Sequence, residues 1–138
     1  MQRNPRDFAR ADALVERCLQ LISQLEPRVW FVENPFSGLL RTREIMQGIP
    51  YVVLDYCMYQ DPPLYRKRTA VWTNCTDWTP KLCDCTRLVN GRRHPATAQR
   101  GPRNGGDDRA FTLDHLHRLP SRLCDEILAV CASRTVAE

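Results

Sequence analysis

The first clear pattern in the sequence is helical. Apolar residues recur at steps of three and four positions near the start of the chain, which places them on one face of a helix. The residues of this face are Phe8, Ala11, Leu14, Val15, Cys18, Leu19, Ile22 and Leu25. Asn4 can cap this helix, Pro5 suits its first position, and Pro27 ends it. The chain is therefore predicted to open with a long amphipathic helix.

Two short apolar runs follow and predict buried strands. Residues 29–32 form an unbroken apolar run, as in a strand that is covered on both faces of a parallel sheet. A shorter helix is predicted from Gly38 or Leu39 to about Gln47, and residues 51–54 form the second buried strand. A strand, a helix and a strand in this order predict a βαβ crossover with a parallel pair of strands.

The rest of the chain predicts a third strand and a closing helix. Residues 68–73 suit a strand, and no helix fits in the loop before them, so they are predicted to form an antiparallel hairpin with 51–54 at the sheet edge. Regular structure fades after Asn74, and Pro120 begins a closing helix. The fold class is α/β. Its predicted parts are an α/β core at 1–73, an irregular basic segment at 74–112 and a C-terminal helix at 113–138 that returns to the core.

The composition is that of an ordinary globular domain. The 138 residues suffice for one domain with a core, 43% are hydrophobic and 26% are charged, and the net charge of +4 alone does not establish a polyanion partner. No apolar run reaches the length of a membrane span, and no signal peptide is visible. Seven cysteines without a secretory signal indicate a reducing compartment. We therefore expect a soluble intracellular protein, cytoplasmic or nuclear, with no membrane partner.

A polar motif follows the first apolar run directly. Glu33, Asn34 and Pro35 come immediately after residues 29–32. In open parallel sheets the ligand crevice lies beyond the carboxyl ends of the strands, which is where this motif is expected. A carboxylate at that point can hydrogen-bond a ring nitrogen or an amine of a bound base, or move a proton. A glutamate that merely ends a strand is the structural alternative.

Four soft metal ligands lie close together in the irregular segment. They are Cys75, Cys83, Cys85 and His94. Such ligands can hold a zinc ion tetrahedrally and replace the core that this segment lacks. The spacing contains no clean Cys-x-x-Cys pair, so scattered free cysteines beside a solvated histidine are the alternative.

Basic residues dominate the same segment. No acidic residue lies between Asp84 and Asp107, whereas five arginines do, which are Arg87, Arg92, Arg93, Arg100 and Arg103. With several glycines they form a basic loop that suits contacts with DNA phosphates, although an ordinary exposed charge run has the same composition. Arg66, Lys67 and Arg68 add a second basic cluster before the third strand.

The motif at 33–41 also carries a family resemblance. The run Glu-Asn-Pro-Phe-Ser-Gly-Leu-Leu-Arg resembles the Glu-Asn-Val/Pro motif of cytosine-5 DNA methyltransferases, in the divergent branch found in phages, large viruses and some protists. Arg66 and Arg68 resemble the arginines of that family's Gln-x-Arg-x-Arg motif, without the glutamine. Residues 119–123 resemble its last motif, which packs beside the cofactor.

The resemblance implies a fold and a chemistry. The fold would be the C-terminal half of a Rossmann-like methyltransferase sheet, and the segment that follows Asn74 would recognise the DNA target. Glu33 would neutralise the charge that develops on a flipped cytosine, while Asn34 and Pro35 would shape its pocket. Arg66 and Arg68 would hold the DNA backbone or the catalytic loop. S-adenosylmethionine would be the methyl donor of the complete enzyme.

The sequence departs from the family at its start. The family requires a Gly-rich cofactor loop and a Pro-Cys nucleophile before the Glu-Asn-Pro strand, but the residues before Val29 predict a single helix. We therefore expect a methyltransferase fragment that is inactive alone and needs a separate N-terminal half. A non-catalytic nucleic-acid-binding module with a zinc-stabilised loop is the alternative.

Overall fold

The chain opens with the predicted helix. The computed structural model describes residues 7–61, 65–84, 94, 96–97 and 113–134. Helix α1 spans Phe8–Leu25, and the side chain of Asp7 caps it by accepting a hydrogen bond of 2.9 Å from the backbone N–H of Arg10. It ends at Glu26, whose φ of 44° places it in the left-handed region. The predicted cap Asn4 and the following Pro5 lie outside the described residues.

Three strands form the main sheet. Strand β1 is Phe31–Pro35, β2 is Tyr51–Asp55 and, further along the chain, β4 is Arg68–Thr73. The order is β1-β4-β2, and β4 is antiparallel to both neighbours. The predicted antiparallel pairing of 51–54 with 68–73 is confirmed. The predicted adjacency of the first two strands is wrong, because β4, which is buried from Thr69 to Thr73, takes the central position between them.

The connection between β1 and β2 is not the predicted helix. It contains two 3-10 turns, Leu40–Thr42 and Glu44–Met46. Arg43 lies between them with an extended backbone, at φ −78° and ψ 139°, which interrupts any continuous helix. The side chain of Arg43 pairs with Asp12 on α1, and this ion pair attaches the connection to the helix.

Shorter elements complete the fold. A 3-10 turn at Tyr56–Tyr59 follows β2, and strand β3 at Tyr65–Arg66 pairs in parallel with β5 at Ala96–Thr97. Helix α2 spans Leu113–His117 and helix α3 spans Ser121–Ser133, so the predicted start of the closing helix at Pro120 is confirmed. In the part of the chain that is described, no helix combines the length and apolar character needed to cross a membrane.

The sheet separates two apolar clusters. One cluster joins the sheet to α3 and the turn after β2; its buried members are Leu54, Tyr56, Tyr59, Tyr65, Val71, Cys75, Trp78 and Leu123. The other joins the sheet to α1 and the 3-10 turns; its buried members are Met46, Ala70 and Trp72, with Val15 and Leu19 packed against them. The architecture is therefore a three-layer sandwich of α3, the sheet and α1.

Candidate functional site

The Glu-Asn-Pro motif lies inside a strand rather than beyond its end. Glu33, Asn34 and Pro35 are the last three residues of β1, where they pair with Val71, Ala70 and Thr69 of β4. The expectation that the strand ends at Val32 is wrong, because the partner strand continues alongside the motif. Neighbouring residues of a strand point to opposite faces. Glu33 therefore faces the α3 side of the sheet, and Asn34 faces the α1 side.

Two side chains hold the carboxylate of Glu33. The hydroxyl of Tyr56 donates a hydrogen bond of 3.2 Å to Oε1, and Nζ of Lys67 lies 3.7 Å from the same oxygen. Lys67 also lies 4.6 Å from the centre of the Tyr56 ring and donates to the backbone carbonyl of Leu116 at 3.0 Å. The Glu33 side chain keeps 32% of its surface exposed. The result is a positioned carboxylate that solvent can reach.

The surroundings keep Tyr56 protonated. Burial raises the pKa of its phenol far above the ordinary value, and the charge and hydrogen bond of Glu33 raise it further. A phenol in this state remains a hydrogen-bond donor throughout the neutral range. Tyr56 therefore fixes the orientation of the Glu33 carboxylate.

The opposite face of the sheet end carries a second charged group. Asp55, the last residue of β2, is fully buried and accepts hydrogen bonds from both Arg66, at 3.1 Å, and Arg68, at 2.8 Å. Its Oδ2 also accepts from the backbone N–H of Cys83 at 3.0 Å. Burial alone would raise the pKa of the Asp55 carboxyl, but the hydrogen bonds from Arg68, Cys83 and Arg66 hold it below its ordinary value.

Consecutive side chains point to opposite faces of the sheet, so one basic cluster contacts acidic residues on both faces. Arg66 and Arg68 point to the same side and meet Asp55, whereas Lys67 between them points to the other side and meets Glu33. The two arginines keep 44% and 39% of their side-chain surface exposed. The structure thus gives Arg66 and Arg68 a common protein partner, which the sequence analysis did not foresee.

The residues after the motif form an organised turn. The backbone N–H of Gly38 donates to the carbonyl of Pro35 at 2.7 Å, and a Cβ atom on Gly38 would lie only 2.4 Å from Oδ1 of Asn34. Arg41 stacks 3.8 Å from the centre of the Phe36 ring and donates to the Phe36 carbonyl at 3.1 Å. Glycine at position 38 therefore allows the Asn34 amide to lie against the turn.

The structure brings together two of the four predicted metal ligands and separates a third from them. Cys83 and His94 come together, with Cys83 Sγ 3.5 Å from His94 Nε2, and their third neighbour is Cys57. Cys75 instead lies in the core beside α3, fully buried, where its N–H donates to Thr73 Oγ1 at 3.0 Å. The remaining predicted ligand and the predicted DNA-binding arginines lie outside the described residues; they are Cys85, Arg87, Arg92 and Arg93.

Comparison with known proteins bears on this arrangement. The chain is 34% identical, over 124 residues, to a probable DNA (cytosine-5)-methyltransferase of Frog virus 3 (isolate Goorha), and the match covers 86% of this chain. Over most of its length the chain is therefore similar to a DNA (cytosine-5)-methyltransferase. The resemblance to the C-terminal part of such enzymes, in a viral branch, is thereby confirmed. The match covers 56% of the viral protein, so the chain spans little more than half the length of that relative. No protein-family model and no solved structure matches the chain.

The candidate site also contains contacts that the sequence did not indicate. Tyr56, Lys67 and Asp55 each touch a residue of the two predicted motifs, but no motif identified them. The available signal was positional. Asp55 and Tyr56 directly follow the predicted buried strand at 51–54, and Lys67 lies between the two motif arginines in the sequence.

Proposed function

We propose that this chain is the base-recognition part of a DNA (cytosine-5) methyltransferase, and that Glu33 contacts the flipped cytosine. The observation that carries the proposal is the geometry of Glu33. Tyr56 and Lys67 both contact Oε1, and neither of these contacts uses Oε2. Oε2 can therefore meet the third ring nitrogen of a base that enters the exposed side of the carboxylate. The similarity to the viral methyltransferase supports the choice of base.

The role of Glu33 follows from the charge that the reaction creates. When a cysteine thiolate adds to the sixth ring carbon, negative charge spreads onto the ring, and the fifth carbon becomes nucleophilic towards a methyl group. A carboxylic acid at the third ring nitrogen neutralises that charge. Tyr56 and Lys67 hold Glu33 in one orientation, which lowers the entropic cost of aligning its carboxyl group with the base. Pro35 shares the face of Glu33 and would line the pocket of the flipped base, whereas Asn34, on the other face, would shape it through the turn at Gly38.

The nucleophile and the cofactor site would come from a second methyltransferase half. S-adenosylmethionine supplies the methyl group in such a reaction. The 138 residues contain no Pro-Cys pair, and the glycines in the described part, Gly38 and Gly48, do not form a Gly-rich turn. In this proposal the chain alone does not methylate DNA.

Two surfaces suit such a second half. Among the described residues, the sheet order leaves the outer edge of β1 without a partner strand, so a further strand can add there. On α1, three leucines are exposed, which are Leu14 at 69% and Leu25 at 73%, both of the predicted apolar face, and Leu21 at 38%. An added α/β half would extend the sheet into a Rossmann-like one and cover these leucines.

DNA would be contacted mainly by the basic segment. Within the proposed recognition segment at 74–112, Arg87, Arg92 and Arg93 would bind phosphates. Arg66 and Arg68 would take a smaller part in this contact, because each also pairs with Asp55. This division predicts that neutralising the three segment arginines weakens DNA binding at every sequence and reduces its dependence on salt.

The test is complementation. The part of the Frog virus 3 protein that lies outside the match is fused to this chain, and transfer of a labelled methyl group from S-adenosylmethionine to cytosine in DNA is measured. We expect transfer by the chimera and none by the 138-residue chain. A chimera that is folded and binds S-adenosylmethionine, yet binds DNA without methylating it, would favour the non-catalytic binding module.

A further inference from the structure

Three soft ligands converge at the end of β2. The ligand atoms of Cys57, Cys83 and His94 all lie within 4.8 Å of one another, and Cys83 Sγ is 3.5 Å from His94 Nε2. Cys57 is almost completely buried at 1% exposure, whereas the other two are partly buried. The residues come from three separate stretches of the chain, so the fold and not the sequence spacing brings them together.

The spacing fits a tetrahedral metal ion. Zinc binds a cysteine sulfur at about 2.3 Å and a histidine nitrogen at about 2.0–2.1 Å, which places two such tetrahedral ligands about 3.6 Å apart. The 3.5 Å between Cys83 Sγ and His94 Nε2 agrees with that separation. Cys57 Sγ lies within 4.8 Å of both atoms, so a small movement of its side chain would bring the third ligand to the same range.

We propose that Cys57, Cys83 and His94 form a structural zinc site, with two thiolates and the Nε2 atom of a neutral imidazole as ligands. Thiolate and imidazole donors favour zinc over magnesium or calcium, which prefer oxygen. A fourth donor completes the tetrahedron. Cys85 lies outside the described residues, and the proposal does not depend on it.

The surrounding contacts fix two of the ligands. Asp55 Oδ2 accepts from the N–H of Cys83 at 3.0 Å, and the N–H of Asp55 donates to the carbonyl of Lys81 at 3.1 Å. These bonds fasten the segment that contains Cys83 to the end of β2, and Cys57 lies in the turn that follows. Arg68 also pairs with Asp55, at 2.8 Å, so a positive charge lies beside the residue that holds Cys83.

The site would link the sheet to the basic segment. Cys83 and His94 lie on either side of residues 84–93, which contain Arg87, Arg92 and Arg93. A metal bound by both ligands closes that stretch into a loop and fixes its two ends against β2 through Cys57. The site therefore has a structural role whether or not the chain takes part in methyl transfer.

Metal titration of the whole chain tests the proposal. The reduced 138-residue protein is stripped with a chelator, titrated with cobalt(II), and then titrated with zinc. We expect one equivalent of cobalt to give the sulfur-to-metal charge-transfer absorption of a tetrahedral thiolate site, and zinc to abolish it. Absence of that absorption, or a Cys57–Cys83 disulfide that persists under reducing conditions, would overturn the proposal.

Matched cysteine variants identify the ligands. Cys57→Ser and Cys83→Ser should each weaken zinc binding by more than about 100-fold, since loss of an outer-shell partner already costs 10–100-fold. Cys75→Ala, in the core, and Cys18→Ser, on the surface of α1, should keep wild-type affinity. A Cys57→Ser protein that retains the wild-type cobalt spectrum, or a Cys75→Ala protein that is folded but loses it, would refute the ligand set.

A measurement on the wild-type protein tests the same ligands without depending on the folding of a variant. The wild-type chain is alkylated with and without zinc, and the modified cysteines are mapped by mass spectrometry. Zinc should protect Cys83 and Cys57 and leave the exposed Cys18 reactive. Equal alkylation of Cys83 in both samples would contradict the proposal.

Discussion

Tyr56 donates a hydrogen bond of 3.2 Å to Glu33 although their strands are not neighbours. Glu33 lies on β1 and Tyr56 follows β2, and the whole of β4 runs between the two strands. The contact spans the sheet on its α3 face. A carboxylate with only local support would sample several rotamers, whereas Glu33 is held from across the sheet and by Lys67. The geometry of the proposed base-recognition residue thus depends on all three strands.

The Tyr56→Phe variant should be less stable at neutral pH and less sensitive to alkali. It loses a hydrogen bond to a charged acceptor, worth about 1.5 kcal/mol in the free energy of unfolding. Because burial and Glu33 raise the pKa of Tyr56 in the folded state, its contribution is complete below the ordinary value of 10.0 and is lost as pH rises above it. Urea unfolding at several pH values measures both effects.

Tyr51→Phe is the control for this experiment. Tyr51 lies on β2 with 43% of its surface exposed. Its substitution should change neither the neutral stability by more than about 0.5 kcal/mol nor the alkaline slope. An unchanged alkaline slope in Tyr56→Phe would show that Tyr56 ionises as easily in the folded state as in the unfolded chain, contrary to our account.

Replacing Asp55 should be costly. Asp55→Ala leaves Arg66 and Arg68 without their common carboxylate and removes an acceptor from the Cys83 N–H. We expect a loss of about 3 kcal/mol, at the lower end for a broken buried ion pair because the arginines are partly exposed. Since the Asp55 pKa is lowered by folding, its contribution is present above the ordinary value of 3.8 and is lost as pH falls below it.

A surface pair provides the comparison. Asp77 keeps 79% of its side-chain surface exposed and pairs with Arg134. Asp77→Ala should lower the free energy of unfolding by less than about 1 kcal/mol. Chemical unfolding of the two variants side by side measures the difference. Equal losses for Asp55→Ala and Asp77→Ala would mean that the buried network does not stabilise the sheet end.

Gly38→Ala should disturb the motif turn. The added Cβ would lie 2.4 Å from Asn34 Oδ1 and 2.9 Å from the Pro35 carbonyl, so the Asn34 amide must move. We expect a loss of about 1–3 kcal/mol from overpacking, and reduced methyl transfer in the chimera. Gly48→Ala is the control: its φ of 78° costs about 1 kcal/mol, but nothing lies within 4 Å of the added Cβ. Gly48→Ala should therefore keep its activity per folded molecule.

Local patterns predicted most of the elements but only part of their arrangement. The period of apolar residues located α1, and the start of the closing helix at Pro120 and the strand at Arg68–Thr73 are confirmed. The order of the strands was predicted wrongly because strand pairing depends on contacts between distant residues. Strand β4 is central because both of its edges are paired, and its polar residues Thr69 and Thr73 are buried there, which their chemistry did not indicate.

The metal ligands illustrate the same limit. Sequence proximity grouped Cys75 with Cys83, but Cys75 turns into the core beside Trp78 and α3. Cys57 lies far from Cys83 in sequence and had no neighbouring histidine, so spacing gave no reason to include it. In the folded chain, hydrogen bonds of Asp55 with the Cys83 N–H and with the Lys81 carbonyl hold the two cysteines near each other.

Methyl transfer by Glu33 variants of the chimera tests the central claim most directly. Glu33→Gln keeps the size of the side chain but cannot neutralise charge on the cytosine ring, whereas Glu16→Gln changes an exposed glutamate on α1. We predict that Glu33→Gln lowers the rate of transfer roughly 10²–10⁴-fold with DNA affinity nearly unchanged, and that Glu16→Gln has the parent rate. A Glu33→Gln chimera that methylates cytosine at the parent rate would contradict the assignment of Glu33.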